Sequence, residues 1–559
     1  MQIVIPMSGF GERFRKAGYE VPKPLIEIQN KPIIAHVIDM FPGEKDFHFI
    51  CNKEHLQNTN YKMRKILEKY CPSGKIHSIE PHKKGPVFAV QSIKDHLKLD
   101  EPIVVNYCDF SCYWNWKHFK SFVSQHFCDG AIPAYKGFHP HSLGKTNYAY
   151  IKENGGWVED IQEKQPYTSN RMNEYASSGT YYFSSGKKMF DSFDYIVKNN
   201  MKVEGEYYVS LAYKFICMKY NSVIVYPLQH FMQWGTPEDV AEYNYWSKVF
   251  TSLISNKKMD NLKLGTNVIP MAGLGQRFVD DGYSKTKPLI SVSGKPMVVQ
   301  STKDLPQSNN YVFVLRSDML GYEDVRKELQ ENFNNPIIKT IDYVTDGQAR
   351  TATIGVSELE GISSDDSSPL TIGVCDSGVI YDHEKFYNLL NSSDADLIVW
   401  GIKGYTNALR NPEMYGWIDA NYENIINKVS VKKPLENPET DPIVLGIFTF
   451  KNIQDFNKVT QSLIERDGKI NNEFYMDSCI EDAINLGLKC VFFEVDSFLC
   501  WGTPNDLKTF EYWQSCFHLW SSHPYKIEDD NRVTKSNLNE IERKFKELNP
   551  IKKFTLKNR

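Results

Sequence analysis

Short apolar runs alternate with amphipathic stretches along most of the chain. Gln2 to Pro6 is apolar, ends in a small-residue loop, and reads as a buried strand. Pro32 to Phe41 places Ile33, Ile34, Val37, Ile38 and Phe41 at helical spacing. Phe47 to Cys51 is strand-like, Asn60 to Tyr70 a charged helix, Ile76 to Ile79 a strand, and Pro86 to His96 a helix. Ile103 to Tyr107 is a further strand that runs into Cys108-Asp109. Strands alternating with helices predict an α/β fold, a mainly parallel mixed sheet flanked by helices. In such sheets ligands bind beyond the carboxyl ends of the strands, where the first loop and Asp109 both fall. Gly130 to Tyr135 and Tyr148 to Ile151 read as paired strands, followed by Trp157 to Lys164 and Gly179 to Phe183.

The first strand leads into Met7-Ser8-Gly9-Phe10-Gly11-Glu12-Arg13-Phe14 and then Pro22-Lys23-Pro24-Leu25. The same arrangement returns as Met271-Ala272-Gly273-Leu274-Gly275-Gln276-Arg277-Phe278 and Lys287-Pro288-Leu289. Glycines let backbone N–H groups approach an anion, arginine offers a planar fork for phosphate oxygens, and lysine offers a point charge. The pattern lacks the Gly-Lys-Ser/Thr of a P-loop and the third glycine of a dinucleotide fingerprint. Gly9 and Lys23 recur 264 residues later; Asp109, Gly179, Glu206 and Gly235 recur 267 later as Asp376, Gly446, Glu473 and Gly502, and Lys164 recurs 268 later as Lys432. So constant a spacing implies two copies of one large domain. The expected boundaries are 1–249 for the first domain, 250–266 for a linker with Ser255-Asn256-Lys257-Lys258 at its polar middle, and 267–523 for the second domain. A charged helical tail is expected over 524–559, with Ser536 as its cap.

Composition narrows the class. In 559 residues, 41% hydrophobic and 24% charged positions are ordinary for a globular protein, and the net charge of -4 speaks against a nucleic-acid surface built on overall basicity. No apolar run approaches the ~20 residues that span a bilayer, and no secretory signal is visible. The 11 cysteines are scattered without a Cys-x-x-Cys pair, as expected for reduced thiols in a cytoplasmic protein.

Gly-x-Gly-x-Arg-Phe followed by Lys-Pro-Leu resembles the signature of the sugar-1-phosphate nucleotidyltransferases, the nucleotide-sugar pyrophosphorylases. The resemblance runs along both halves and implies two tandem Rossmann-like nucleotidyltransferase domains. It further implies a nucleoside triphosphate and a sugar-1-phosphate as substrates, Mg²⁺ as cofactor, and pyrophosphate as leaving group. On it, Met7, Ser8, Gly9 and Gly11 hold the nucleotide, Gly85 lies in the base-recognising turn, and Arg13 stabilises the pyrophosphate. Lys23 contacts the phosphates at the reacting centre, Asp109 binds the metal, Lys164 grips the sugar phosphate beside Glu163, and Gly179 and Glu206 line the sugar pocket. The second half offers Met271, Ala272, Gly273, Gly275 and Gly347 for the nucleotide, Arg277, Lys287 and Lys432 for catalysis, Asp376 for the metal, and Gly446 and Glu473 for the sugar.

Two departures stand out. Gln233 and Cys500 occupy the positions where many members carry a second metal-binding aspartate. The second half also has Lys432-Lys433 where the first has Glu163-Lys164, which suggests a different or more anionic substrate. Two other readings stay open. One half could be catalytic and the other a regulatory or structural sensor. Alternatively the chain is a nucleotide-sugar-dependent glycosyltransferase, for which Asp394-Ala395-Asp396 is the single Asp-x-Asp. The sequence names neither base nor sugar, and it does not settle the oligomeric state or whether the halves form an internal pseudo-dimer. Surface polysaccharide synthesis is an expectation by analogy alone.

Overall fold

The computed structural model describes residues 1–145, 147–255, 263–359, 368–392 and 394–557. The chain divides into two compact units. Unit 1 comprises Met1–Asn244, Ser515–His523 and Glu542–Arg559; unit 2 comprises Tyr245–Gln514 and Pro524–Ile541.

Unit 1 is built on a ten-stranded sheet. Its strands are β1 (Gln2–Met7), β2 (Phe47–Asn52), β3 (Lys75–Ile79), β4 (Ile103–Asn106), β5 (Gly130–Tyr135), β6 (Ala149–Asn154), β7 (Trp157–Glu163), β8 (Tyr175–Ser177), β9 (Thr180–Phe183) and β10 (Val223–Pro227). The order is β8-β6-β7-β10-β5-β9-β4-β1-β2-β3. β1 runs parallel to β2 and β4, whereas β9 is antiparallel to both β4 and β5. Ile3, Val4 and Ile5 are fully buried, as expected of a central parallel strand covered on both faces.

Unit 2 repeats this plan. Its strands are β11 (Thr266–Pro270), β12 (Asn310–Arg316), β13 (Ile337–Ile341), β14 (Leu370–Ile372), β15 (Leu397–Ile402), β16 (Gly416–Ala420), β17 (Ile426–Val431), β18 (Ile443–Phe450) and β19 (Cys490–Glu494). The order β13-β12-β11-β14-β18-β15-β19 matches β3-β2-β1-β4-β9-β5-β10 strand for strand. β18 is antiparallel to β14 and β15, as β9 is to β4 and β5, and β19 is parallel to β15.

Several expectations need correction. β5 and β6 are not partners; β8 hydrogen-bonds to each of them instead. Left-handed Lys62 (φ 51°) divides the expected helix 60–70 into a 3₁₀ turn Thr59–Tyr61 and a helix Met63–Tyr70. The helix expected over 86–96 stops at Gln91, and a 3₁₀ turn covers Lys94–His96. The linker does not begin at 250, because helix Pro237–Ser255 continues through that point with Phe250 and Leu253 buried. Asn256, Lys257 and Lys258 lie outside the described residues.

The charged tail is not a separate element. Tyr525, Ile527, Asp530 and Arg532 are buried, and Arg532 forms a buried ion pair with Asp304 in unit 2. Helix Lys535–Glu547 already includes Ser536, which is therefore not its cap. In unit 1, Lys557 donates its N–H to Gly155 O at 3.0 Å and accepts from the Trp157 indole at 2.9 Å.

Candidate active site

In unit 1 a cavity of about 420 Å³ opens beyond the carboxyl ends of β1 and β4. Its wall includes Met7, Gly9, Arg13, Lys23, Asp109 and Glu206. β1 delivers the loop after Met7, and left-handed Gly11 (φ 62°) turns that loop into the helix Glu12–Lys16. Gly11 is needed for its dihedral, whereas a Cβ on Gly9 would meet nothing within 4 Å. Ser8 is nearly buried, and its carbonyl accepts a hydrogen bond from Asn52 at 3.4 Å. In unit 2 the loop carbonyl of Ala272 accepts instead from Arg316, at 3.0 Å.

Lys23 opens the 3₁₀ turn Lys23–Leu25, and Asp109 follows β4. The Lys23 ammonium donates to Asp109 Oδ2 at 2.8 Å. Burial alone would lower the pKa of Lys23, but the Asp109 carboxylate outweighs it, and the net shift is upward. Arg13 acts electrostatically on Lys23 and on Glu204, which pairs with Lys164. Arg13, Lys23 and Asp109 therefore line one cavity, and Arg13 is within electrostatic reach of the Glu204 that pairs with Lys164. Unit 2 repeats the central pair, with Lys287 2.5 Å from Asp376 Oδ2 and a net upward shift in which burial is again outweighed, chiefly by the Asp376 carboxylate.

The glycines serve different purposes. Gly85 (φ 90°) packs so tightly that a Cβ would sit 2.8 Å from the Tyr207 N and O atoms. Tyr207 N–H bonds to Lys84 O at 3.0 Å and Val87 N–H to Tyr207 O at 3.2 Å, which clasps the turn against the segment carrying Glu206. Gly347 (φ 131°) meets Phe474 in the same way, beside Glu473. Gly179 (φ 95°) stands behind the cavity, where its carbonyl accepts from Tyr107 N–H at 3.0 Å and Tyr107 forms the wall. Gly446 (φ 72°) has the corresponding left-handed backbone.

Lys164 and Lys432 are both left-handed, at φ 59° and 60°. Each donates its backbone N–H to a tyrosine carbonyl, Tyr148 at 2.8 Å and Tyr415 at 3.0 Å. Each ammonium lies 5.1 Å from a tyrosine ring, Tyr208 for Lys164 and Tyr475 for Lys432. This register corrects the sequence reading: Lys432 corresponds to Lys164, so Val431, not a lysine, stands where Glu163 stands. Lys433 matches Gln165. Burial lowers the pKa of Lys432, partly opposed by Asp477, and Arg277 lowers it further, so Arg277 lies within electrostatic reach.

Gln233 and Cys500 are not idle replacements for an aspartate. The Gln233 amide donates to Asp239 at 2.5 Å, and the Cys500 thiol bonds to Asp506. Asp239 and Asp506 each accept from a threonine that opens the following helix, Thr236 and Thr503. Among the described residues no group of three ligating side chains forms around Asp109 or Asp376. The donor chemistry suits a Mg²⁺ that arrives with phosphates, since such ions are commonly held by one or two carboxylates plus substrate oxygens. Asp394 and Asp396, the Asp-x-Asp, both bond to Lys489 at the entry to β15. The sequence reading missed Tyr107 and Tyr208, although Tyr208 recurs as Tyr475 at the spacing of the other landmarks.

Residues 3–212 match the family model described as nucleotidyl transferase. A mannose-1-phosphate guanyltransferase beta-A of Xenopus laevis is 27% identical over 188 residues, 33% of this chain and 50% of the relative. A mannose-1-phosphate guanyltransferase of Saccharomyces cerevisiae is 26% identical over 175 residues, 31% of this chain and 48% of the relative. The chain thus spans about half the length of these curated relatives. A nucleoside-diphosphate-sugar pyrophosphorylase from Vibrio cholerae, 21% identical, covers 43% of this chain and 99% of its own, with a TM-score of 0.35. No helix among the described residues is long and apolar enough to cross a membrane. Residues 3–212 of its first unit are therefore similar to the nucleotidyl transferases, and the curated relatives that match there are named as mannose-1-phosphate guanyltransferases.

Proposed function

We propose that both units transfer a nucleotidyl group from a nucleoside triphosphate to a sugar-1-phosphate. The observation that carries this reading is the Lys–Asp pair at the strand ends, 2.8 Å in unit 1 and 2.5 Å in unit 2, each following the same arginine-bearing loop. A phosphate oxygen of the sugar phosphate attacks the α-phosphorus, the bond from that phosphorus to the bridging oxygen breaks, and pyrophosphate leaves. Such transfers depend mostly on positioning and on neutralising developing charge. Lys23 and Lys287 remain ammonium groups and meet the reacting phosphates; Arg13 and Arg277 hold the departing pyrophosphate. Asp109 and Asp376 would hold a Mg²⁺, which neutralises phosphate charge when bound. Lys164 and Lys432 orient the sugar phosphate, and Gly85 and Gly347 shape the turn beside the base.

The two units then act as a tandem of related enzymes, and their product is a nucleotide-activated sugar of the kind consumed in surface polysaccharide or glycan synthesis. Pyrophosphate release from the whole chain, screened over four nucleoside triphosphates and a panel of sugar-1-phosphates, tests this. GTP with mannose-1-phosphate is the first pair to try, because curated relatives carry that name. No release with any pair overturns the proposal.

A further inference from the structure

The two units differ by a coupled exchange beside their matching lysines. In unit 1, Glu163 at the end of β7 stands opposite Ala149 and accepts a hydrogen bond from Ser210 Oγ at 2.5 Å. In unit 2, Val431 takes the place of Glu163 and stands opposite Gly416. Ser210, two residues beyond the lysine-facing Tyr208, corresponds to Asp477, two residues beyond Tyr475. The carboxyl has therefore moved from the strand to the helical wall. Gly416 is what makes room, since a Cβ there would overlap Asp477 Oδ2. Ala149, Glu163 and Ser210 have changed together into Gly416, Val431 and Asp477, and each site retains one carboxyl next to its lysine.

Neither carboxyl is sealed in the core. Glu163 and Asp477 each remain partly exposed, although the serine that Asp477 replaces is fully buried. Burial raises both, Glu163 to about 7 and Asp477 to about 6, each against the pull of its neighbouring lysine. Lys164 also has a second acid partner in Glu204, whose counterpart in unit 2 is the neutral Asn471. Lys432 bonds to the Met414 carbonyl at 2.6 Å, which leaves Asp477 as the acid that opposes its downward shift most strongly.

We infer that Asp477 is a specificity-determining residue of the second unit, a carboxylate that accepts a hydrogen bond from a hydroxyl of the bound sugar-1-phosphate. It does so from the helical segment and not from the strand that carries Glu163, so the two units select sugar phosphates that differ in the hydroxyl they present. This rests on the proposed nucleotidyl transfer. An acceptor placed to meet a hydroxyl discriminates between ligands, because one lacking that group leaves it unpaired.

The test uses the full chain with the first unit silenced by Asp109→Asn. Adding Asp477→Asn, which keeps shape and removes charge, is expected to raise KM for the preferred sugar phosphate about tenfold or more while KM for the triphosphate stays within about twofold. Gly416→Ala is the second variant: it displaces the carboxylate without deleting it, and the same selective rise is expected. An unchanged sugar-phosphate KM overturns the inference and leaves Asp477 a mere partner of Lys432. So does a rise in both constants together. The parent chain with only the first unit silenced serves as the control for the wider reading. If that chain and its counterpart Asp376→Asn release no pyrophosphate from any pair, the failure belongs to the enzymatic proposal.

Discussion

The ammonium of Lys23 lies 2.8 Å from the carboxylate of Asp109, across 86 residues of sequence, and both are only about a quarter exposed. Each neutralises a charge that would otherwise be costly at the cavity wall. Asp109→Asn leaves Lys23 without its counter-charge and removes the carboxylate proposed for the metal. Turnover at the first unit should fall about a hundredfold or more. Asp376→Asn should do the same at the second, and the double variant should release no pyrophosphate above background. Steady-state rates on each unit's preferred sugar phosphate measure this. Full activity in the double variant would remove both pairs from catalysis.

Gly85 and Gly347 combine a positive φ with backbone packed where a side chain would begin. Alanine at either position is strained whatever the surroundings. Gly85→Ala should cost about 1–3 kcal/mol locally, and it should loosen the clasp between the turn and Tyr207. Urea unfolding would read the stability loss, and a rise in triphosphate KM would read the loosened turn. Gly9→Ala is the contrast: it meets nothing in the folded chain, so stability should hold, and any loss should appear only in nucleotide binding.

The proposed metal can be separated from the fold. No three-residue ligand set surrounds Asp109 among the described residues, so an ion would be held chiefly by substrate phosphates. A chelator should therefore abolish pyrophosphate release, and added Mg²⁺ should restore it, while the thermal unfolding temperature of the substrate-free chain stays constant. A drop in that temperature on chelation would point to a structural ion instead.

The central strands were legible because parallel strands buried on both faces read as unbroken apolar runs, as Ile3 to Ile5 do. Lys23, Asp109, Lys287 and Asp376 were singled out through motif and spacing, but the contacts that join them in pairs were not, since a repeat shows matching residues and not their partners. Pairing of β5 with β8 was not legible, because a three-residue strand carries no periodic signal. The exchange at Asp477 was hidden as well. Lys432-Lys433 invited a register one residue off the 268-residue spacing of Lys164 and Lys432, and the left-handed backbone at both lysines sides with that spacing.

The tail illustrates the same limit. Its charges read as a helical tail, packed or solvated, and did not show that the Trp157 indole bonds to the Lys557 carbonyl across 400 residues. Gly155 and Gly156 pack against Lys557, Phe554 and Leu556 so closely that no side chain fits there. Deleting residues 550–559 uncovers that turn and removes the hydrogen bond from the Trp157 indole to the Lys557 carbonyl. The first unit should lose about 1–3 kcal/mol of stability, read by denaturant unfolding, with the second unit's pyrophosphate release preserved. An unchanged unfolding midpoint would return the tail to a solvated role.

Glu163 gives a pH signature whose sign is fixed by the direction of its shift. Burial raises it from an ordinary 4.5 to about 7, with Ser210 and Lys164 pulling it down and Glu204 and Glu206 pushing it up. Between those values the folded chain holds a proton that the unfolded chain has released. The stability from this group is therefore complete below about pH 4.5 and is lost as pH rises through about 7. Glu163→Gln removes the dependence. The unfolding temperature of the variant relative to the parent should thus be higher at pH 8 than at pH 5, measured by calorimetry. A difference that does not change with pH would mean that the carboxyl ionises normally in the folded protein. Asp477, raised from 3.8 to about 6, should show the same sign over a lower window in Asp477→Asn.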